Sequence, residues 1–488
     1  MKNLSHLICS VALVSQLVCI SSYGAPTSFN DMLDGIRGTF FKLAKENPAE
    51  LVKFSLINQA SQAAVKDAIR QAILDGATFD LSGKTFTNKQ FKTLFIEERL
   101  FSKITKLKLL RAEFNHDLLL QLPISLVYLD LDFCNLNRKD VQRLTHLKNL
   151  SSLVLAINQI GDIGAQAIAQ NLPLLVTLDM SSNGIGVGGA RAIVQNLPGL
   201  TSLNMSYNEI GDEGAQVIAQ NLKNLTSLVL VVNQIGDEGA HVIAQNLPLL
   251  ATLDMGNNGI GVAGARAIAQ NLPRLTSLNM SYNEIGDEGA QAIAQHLSHL
   301  TYLDLMSHED EGLNEIGATG IEAITQNLPL LGTLSLGGNN IGIAEAQAIA
   351  QNLTQLTYLD LGDSRIGDAG AQAIAQNLPQ LTFLNLESSE IGDAGAQAIG
   401  QLLSHLTTLK LGWNLIGVAG TQAIVQHMEH LTTLELNANT LEDAGAQAIS
   451  QNAQRLTLLV YLNLNDTDIT RTAQAMLKER LLNAEISF

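Results

Sequence analysis

The sequence has few of the residues that most functional classes require. Its 488 residues include three cysteines and one tryptophan, and aromatic residues make up only 4% of the chain. An ordinary globular core would be thin with so few aromatic side chains. Basic residues are also scarce, since 29 Lys and Arg face 46 Asp and Glu, for a formal net charge of -17. That sign argues against a general binder of nucleic acid or anionic membrane and favours a protein partner with a basic surface.

Long apolar runs are lacking as well, apart from one short run near the amino terminus. Residues 7–20 follow the charged Lys2 and precede small residues that end at Gly24. This order is typical of a secretory signal peptide, and the run is too short and too interrupted to be a convincing membrane span. We therefore predict a signal peptide over residues 1–24 and export to the periplasm or the medium. Delivery into a host cell is the alternative.

Cysteine usage excludes a disulfide scaffold. Cys9 and Cys19 lie in the predicted signal peptide, so the mature chain keeps only Cys134 and forms no internal disulfide. Cys19 would be the attachment site of a bacterial lipoprotein. The preceding Gln16-Leu17-Val18 matches such a site poorly, and we favour cleavage after Gly24.

Repetition is what the sequence has in abundance. The segment at 276–300 reads TSLNMSYNEIGDEGAQAIAQHLSHL, and altered copies of it run in both directions. Leu278 and Met280 alternate with polar residues and predict a short half-buried strand. Apolar residues spaced three and four apart at 290–297 predict one buried helix face, with Asp287 as the N-cap. Such a unit cannot bury its apolar face alone and must stack on its neighbours.

A ladder of small polar residues marks each copy and gives the period. The step is 25 residues, except for six extra residues between the copies at 283 and 314. Less regular copies at Lys84, Ala112, Cys134 and Thr467 bring the number to about sixteen. The regular positions of the ladder are Asn158, Asn183, Asn208, Asn233, Asn258, Asn283, Asn314, Asn339, Ser364, Ser389, Asn414 and Asn439.

The consensus LxxLxLxxNxIGDxGAxAIAxxL resembles the leucine-rich repeat. Its GDxGA helix start resembles the ribonuclease-inhibitor-like subclass, which includes the Ran GTPase-activating protein and the repeat regions of NOD-like receptors. The resemblance covers roughly residues 77–482, and the short period suggests a bacterial variant. It implies an α/β fold, a leucine-rich-repeat solenoid (horseshoe) with parallel strands on the concave face and helices on the convex face.

This fold implies a domain order for the whole chain. A helical N-terminal cap is expected over residues 25–76, the array of about 16 units over 77–469, and a C-terminal capping helix with a tail over 470–488. A small separate binding helix pair is the alternative for residues 25–76. We expect a monomer.

Strand residues on either side of the buried leucines are expected to project from the concave face. From Tyr128 onward, acidic and aromatic residues dominate these positions and Lys410 is their only cation, whereas the earlier positions Lys106, Lys108 and Arg111 are basic. Aromatic side chains supply a large contact area with few rotors, and acids steer and select a basic partner. Ordinary solvent-facing decoration of the strands is the alternative. Trp413 is the strongest candidate, and the predicted partner-binding residues are Trp413, Tyr358, Phe383, Tyr302, Asp360, Asp363, Glu387, Glu435 and Tyr461.

We therefore expect a non-enzymatic protein-protein interaction scaffold, an exported bacterial protein or effector acting on host proteins. The alternative is a GTPase-activating or other regulatory protein of the Ran-activator type. Such an activator needs a residue that stabilises charge near the γ-phosphate. Arg111 is the one arginine of the predicted concave side that we nominate for it.

Other chemistry is weakly indicated, and we predict no catalytic residue, metal or cofactor. The insertion at 308–313 carries a cluster of acids that would suit calcium, but it lacks the ligand order of a calcium loop, and a solvated loop is the preferred interpretation. His296 with His299, and His427 with His430, have a helical spacing that would suit two metal ligands. Surface histidines at helix ends are the preferred interpretation of both pairs.

Overall fold

The computed structural model describes residues 78–85, 103–308 and 313–488. The predicted signal peptide and the predicted cap over residues 25–76 lie outside the described residues. The chain divides into two compact units. Unit 1 contains residues up to 134 together with 146–153, and unit 2 contains residues 135–145 and 154–488.

The described residues of unit 1 include three parallel strands, β1 (Thr78–Asp80), β2 (Lys106–Lys108) and β3 (Tyr128–Asp130). Their middle residues are fully buried. Cys134 is free and buried, and its thiol donates to the carbonyl of Leu109 at 3.0 Å. Burial raises the pKa of this thiol to about 11, so it is an inert structural residue. A further strand, β4 (Ser152–Val154), lies at the boundary of the two units.

Unit 2 contains thirteen further strands of three residues each. From β5 to β17, each strand pairs in parallel with the next one along the chain, and the middle residues are aligned throughout. The strands are β5 (Thr177–Asp179), β6 (Ser202–Asn204), β7 (Ser227–Val229), β8 (Thr252–Asp254), β9 (Ser277–Asn279), β10 (Tyr302–Asp304), β11 (Thr333–Ser335), β12 (Tyr358–Asp360), β13 (Phe383–Asn385), β14 (Thr408–Lys410), β15 (Thr433–Glu435), β16 (Tyr461–Asn463) and β17 (Glu485–Ser487).

Helices alternate with these strands, and neighbouring helices pack on one another. This confirms the predicted α/β solenoid of parallel strands and alternating helices. The α-helices are α1 (Gly161–Asn171), α2 (Val187–Asn196), α3 (Gly211–Asn221), α4 (Asp237–Asn246), α5 (Val262–Asn271), α6 (Gly286–His296), α7 (Ala318–Asn327), α8 (Ile343–Asn352), α9 (Gly367–Asn377), α10 (Asp393–Leu402), α11 (Val418–His427), α12 (Glu442–Gln451) and α13 (Arg471–Arg480).

Apart from the half-buried Asn258, the regular positions of the predicted ladder are buried, and their side chains satisfy the backbone between repeats. Asn414 shows the arrangement, because its amide nitrogen donates to three carbonyl oxygens, the closest being that of Leu386 at 2.7 Å. Its amide oxygen accepts from the N–H groups of Ser389 at 3.0 Å and Ile391 at 2.9 Å. Backbone bonds between repeats continue into the turn, as from Trp413 N–H to the Asn437 carbonyl at 2.8 Å. The side-chain bonds of the ladder add to them and satisfy further buried backbone groups.

The six-residue insertion leaves this ladder intact. Asn314, which follows the insertion, donates to the carbonyls of Met280 and Met306 at 2.9 Å each. Its own N–H donates to the Ser307 hydroxyl at 3.1 Å. Ser307 and Asn314 therefore close the insertion as a loop at its base. The acids at 309–311, on which the calcium alternative depends, lie outside the described residues.

The predicted role of Asp287 as the N-cap of its own helix is wrong. Ile285 precedes α6 without a side-chain cap, and the Asp287 carboxylate accepts from Gly317 N–H at 2.7 Å and Gly320 N–H at 3.0 Å. Those groups belong to the start of α7. Neighbouring helices lie side by side, so the acid in the first turn of one helix reaches the unpaired N–H groups of the next.

The glycine before a helix is extended where the acid of the preceding helix bonds its N–H, and at Gly342 the Glu345 carboxylate of α8 takes that role at 3.0 Å. Asp368 in α9 accepts from Gly392 N–H at 2.8 Å, and Gly392 is extended with φ -103° before α10. Ile343 takes the equivalent place in α8, and Gly367 at the start of α9 has φ +56° instead. Glycine tolerates both conformations, which explains its use at this turn.

Capping from the neighbouring repeat makes a testable contribution to stability. Asp393→Ala removes the acceptor of Gly417 N–H and Gly420 N–H, each 2.8 Å away. We expect the free energy of unfolding of unit 2 to fall by about 1–2 kcal/mol, as for other lost N-caps. Asp393→Asn keeps one acceptor oxygen, so it should retain most of the free energy of unfolding that Asp393→Ala loses. Urea titrations followed by circular dichroism compare them, and equal losses in both variants would contradict the capping role.

The carboxyl end contains the predicted helix, α13, with Thr470 as its N-cap. The segment predicted as a tail contains β17, which pairs in parallel with β16 and aligns Ile486 with Leu462. Residues 483–488 do not follow the repeat consensus, so the sequence pattern did not reveal this strand.

Candidate functional site

The strands of unit 2 leave one side of the sheet accessible. In most of them the middle leucine is buried, whereas the first and third residues are half-buried. We call this side the open face. It holds the strand side chains that the sequence analysis assigned to the concave side.

The first residues of the strands form a row on the open face. From β10 to β16 this row reads Tyr302, Thr333, Tyr358, Phe383, Thr408, Thr433 and Tyr461. The four aromatic side chains, which we call the aromatic row, are all half-buried. Tyr358 stacks on Phe383 with ring centroids 3.9 Å apart and planes 5° apart. This pair is a rigid apolar anchor of the kind that binding surfaces use.

Acidic residues occupy several third positions, beside the aromatic row. Burial raises the pKa of the Asp304 carboxyl to about 6, against a hydrogen bond from Met306 N–H, and the charges of Asp254 and Asp360 raise it further. Burial also raises the pKa of Asp254. Both pKa shifts indicate that negative charge on this face is held at a cost, which is common at functional sites.

Asp360 is the most buried of the predicted site acids, with 5% of its surface exposed. Its carboxylate accepts from Gly362 N–H at 3.0 Å and from the Asn385 amide at 3.0 and 3.1 Å. Burial nevertheless raises the pKa of this carboxyl. Because its side chain is buried, Asp360 contributes negative charge to the open face but little contact area.

The predicted cation of this face is neutralised by a neighbour. The Lys410 ammonium lies 2.9 Å from the Glu435 carboxylate, on the adjacent strand. Burial raises the pKa of Glu387, as does the charge of Glu435. The open face around β14 and β15 is therefore closer to neutral than the face around β10 to β12.

Trp413 and Asp363 lie on a different part of the repeat. Both are exposed residues of the turn after the strand, with φ of +54° and +52°, and 61% of the Trp413 surface is exposed. Trp413 comes five residues after Thr408, so roughly 16 Å of chain separates it from the aromatic row. Tyr358 and Phe383 begin their strands, whereas Trp413 follows its strand, and their predicted grouping as one binding patch stays a prediction.

The strand registers identify one residue, Asp304, that the sequence analysis left out of the predicted site. Asp304 is a third-position acid next to Tyr302, yet it was absent from the predicted binding set. Alternation along the strand already placed it on the open face. Its burial and the proximity of Asp254 and Asp360 were not visible without the strand pairing.

Other candidate chemistry finds little support in the described part of the chain. His296 and His427 each place Nδ1 3.0 Å from a backbone carbonyl of their own helix, as helix-end histidines do. No group of three or more His, Cys, Asp or Glu side chains suitable for a metal ion occurs among residues 78–85, 103–308 and 313–488. The guanidinium carbon of Arg111 lies 5.5 Å from the centroid of the Phe133 ring. Over the same residues, every helix is too short or too polar to cross a membrane.

The raised pKa of Asp304 predicts an unusual dependence of stability on pH. Asp254, Asp360, Tyr302 and Tyr358 are the titratable groups that interact with it. The folded pKa of about 6 lies above the model value of 3.8, so the folded state disfavours the ionised form. This cost is present in full above pH 6, shrinks as the pH falls, and vanishes below the unfolded pKa.

Asparagine has no charge at any pH. Asp304→Asn should therefore stabilise unit 2 at neutral and basic pH. We expect a gain of about 1–3 kcal/mol near pH 8 that disappears near pH 4. Asp179→Asn is the matched control, because Asp179 ends β5 and accepts from Ser181 and Asn204. Chemical denaturation at several pH values measures the free energy of unfolding of both variants. A loss of stability in Asp304→Asn at pH 8 would contradict the argument.

Comparisons with known proteins identify the repeats. Ten segments match the family model described as Leucine Rich repeat, at residues 146–169, 171–194, 198–219, 221–244, 246–269, 272–294, 352–375, 377–400, 403–425 and 427–450. No curated protein sequence matches the chain.

Among solved structures, the chain is similar to an internalin from Listeria monocytogenes, with 19% identity, a TM-score of 0.37, and coverage of 86% of this chain and 88% of that one. It is also similar to an LRR protein from Leptospira interrogans, with 20% identity, a TM-score of 0.40, and coverage of 92% and 98%. A third similar structure is that of the Rad7 and Elc1 complex in yeast, with 16% identity, a TM-score of 0.48, and coverage of 69% and 81%.

Proposed function

Since this chain is built of leucine-rich repeats, a fold typical of protein-protein interaction scaffolds, we propose that it binds a partner protein on the open face of unit 2. The binding surface runs over β10 to β13 and is centred on Tyr302, Tyr358 and Phe383. In this proposal the protein acts through binding, without an enzymatic activity of its own.

One observation carries the proposal. The first and third strand residues stay accessible along unit 2, and over β10 to β13 they present aromatic rings beside carboxylates. Aromatic residues supply most of the energy at protein interfaces, whereas acids add selectivity and speed of association. The cost of holding Asp304 ionised supports a role beyond folding.

The proposed partner presents a basic surface. The whole chain carries a formal charge of -17, and the cation on the open face, Lys410, is paired with Glu435. An acidic surface of this kind attracts basic proteins over a distance that shortens as salt is added. Trp413 and Asp363, together with Glu387, Glu435 and Tyr461, would extend the contact toward the turns and the later strands.

Affinity capture with paired variants tests this surface. We expect proteins retained by the wild type to be lost with Tyr302→Ala and Tyr358→Ala combined, since both remove aromatic contact area. Tyr207→Ala is the matched control, because Tyr207 is an exposed tyrosine of an earlier turn in the same unit. Trp413→Ala, examined separately, reports whether the contact reaches the turns. A partner list that is unchanged in the double variant would refute the proposed surface.

We further propose that the protein is exported through the signal peptide predicted at residues 1–24 and acts as a bacterial effector on host proteins. The support is the amino-terminal sequence alone. The ribonuclease-inhibitor-like subclass likewise stays a prediction. Sequencing the mature amino terminus and fractionating the cells would test export, because an intact Met1 in the cytoplasmic fraction would contradict it.

A further inference from the structure

The strand registers imply a groove across the open face at β11. This strand contributes only small residues to the face, since Thr333 and Ser335 lie in it and Gly337 follows. Ser335 and Gly337 are buried, and Thr333 is half-buried. The neighbouring strands place Tyr302 on one side of Thr333 and Tyr358 on the other. We call this feature the β11 groove, with the two tyrosines as its walls.

The orientation of one wall follows from its stacking partner. Phe383 of β13 covers one face of the Tyr358 ring, and the two planes are nearly parallel. β11 lies on the opposite side of β12 from β13. The second face of the Tyr358 ring is therefore directed toward the groove, where it presents the negative π surface of the ring.

Carboxylates line the same groove. The registers place Asp304 and Asp360 on either side of Ser335. Each carboxylate is close enough to Tyr358 for its charge to contribute to the raised pKa of that tyrosine. The groove therefore combines two aromatic walls, a floor of small residues and two acids, and this chemistry complements a cation with an apolar stem.

The spacing of the walls selects the size of the cation. Two strand steps of about 4.8 Å separate Tyr302 from Tyr358, so a cation midway lies about 5 Å from each ring, within the roughly 6 Å range of a cation–π contact. A planar guanidinium also offers five donors in a fork that can engage two carboxylates at once, which a compact ammonium does less well.

Building on the proposed function, we propose that the β11 groove receives an arginine side chain of the partner protein, placed between Tyr302 and Tyr358, bonded to Asp304 and attracted by the charge of Asp360. The groove thereby determines which basic partner is chosen. Arginine is favoured over lysine at this position, and charge alone is not sufficient.

A second acid extends the preference to the spacing of the partner's arginines. Asp254 ends β8, two strands before Asp304, so the interval of roughly 10 Å recurs along the face. A segment in the polyproline II conformation advances about 9 Å in three residues and returns its side chains to the same side. Arginines at every third residue therefore match successive intervals between Asp254, Asp304 and Asp360.

A labelled peptide of repeated Arg-Pro-Pro units is the probe, and fluorescence anisotropy with the full chain is the measurement. We expect Asp304→Asn or Tyr302→Ala to weaken its binding about tenfold. Asp179→Asn removes the same charge from the same strand position of β5, where Thr177 takes the place of the tyrosine, and Tyr207→Ala removes a tyrosine elsewhere. Both controls should change the affinity less than about twofold.

Two further peptides test the chemistry of the occupant. Lys-Pro-Pro repeats, and a peptide of the same composition with its arginines in one block, should each bind about fivefold or more weakly than the Arg-Pro-Pro repeats. Equal binding of all three, or equal weakening by Asp304→Asn and Asp179→Asn, would overturn the inference in favour of a general attraction between charges. Unfolding by Asp304→Asn does not confound the test, because that substitution is expected to stabilise the fold.

The outcome separates this inference from the proposed function. No binding of the Arg-Pro-Pro peptide, together with capture of a protein partner that depends on Tyr302 and Tyr358, would overturn the arginine assignment and leave the binding surface in place. Loss of both would overturn the proposed surface as well. Retention of the peptide by the double tyrosine variant would contradict the groove itself.

Discussion

Asn414→Leu is expected to destabilise unit 2 by roughly 3 kcal/mol or more. The side chain is buried, and its amide makes five hydrogen bonds to backbone groups of its own and the preceding repeat. Leucine has a similar volume and no polar atom, so it leaves two N–H groups and three carbonyls without this partner. Each buried group left unsatisfied costs about 1–3 kcal/mol, and partial relaxation reduces the sum.

Two substitutions at the same position separate the donors from the acceptor. Asn414→Asp keeps an oxygen for the N–H groups of Ser389 and Ile391 but has no amide hydrogen to donate. Asn414→Ser should be the mildest change, because the chain itself uses serine at this place in the ladder. There the Ser389 hydroxyl contacts the carbonyls of Leu361 and Glu387 at 3.2 and 3.0 Å.

Urea denaturation measures these effects, with Trp413 as the local reporter. It is the only tryptophan of the chain and directly precedes Asn414. A stacked array need not unfold in one step, so the Trp413 transition is compared with circular dichroism of the whole chain. Leucine and serine variants that unfold at the same urea concentration would show that the hydrogen bonds contribute little.

The sequence was sufficient to predict the ladder because the same residue recurs at a fixed period. Alternation around Leu278 predicted a strand, and the spacing of apolar residues after it predicted a helix. Both elements are present at the expected place, as β9 and α6. Repetition makes each weak local signal strong, since every copy of the unit has to bury the same face.

Contacts between repeats could not be predicted in the same way. Asp287 fits the sequence rule for an N-cap of its own helix, yet it binds N–H groups of the next helix, thirty or more positions along the chain. The distance between neighbouring helices decides this, and a single repeat carries no information about that distance. The extended Gly392 before α10 goes with the same kind of contact, from Asp368.

The candidate site was predicted in composition but not in arrangement. Tyr302, Tyr358 and Phe383 lie on the open face as expected. Trp413 is separated from them because the chain leaves the strand before it reaches that residue. The β11 groove arises because β11 places no large side chain on the open face. The small residues at 333, 335 and 337 gave no positive signal in the sequence. Its importance emerges only when Tyr302 and Tyr358 are known to flank it.

Gly338 is the position at which the insertion constrains the neighbouring repeat. Its φ is +74°, a conformation that other residues adopt at a cost of about 1–2 kcal/mol. Its N–H donates to the Gly362 carbonyl at 2.9 Å, while the N–H of Ser307 donates to the Gly337 carbonyl at 2.9 Å. A β-carbon added to Gly338 would overlap the backbone carbonyl of Ser307, where the insertion begins. A backbone group held at the base of a loop cannot rotate away as a side chain can.

Gly338→Ala is therefore expected to lower the free energy of unfolding by about 3–5 kcal/mol, from conformational strain and steric overlap together. Gly184→Ala is the matched control, because Gly184 has φ +63° and no atom within 4 Å of an added β-carbon. Strain alone should cost it about 1 kcal/mol. Thermal and urea denaturation compare the two variants. Similar losses in both would mean that the turn at Gly338 moves freely away from Ser307, and that the insertion is not anchored against its neighbouring repeat.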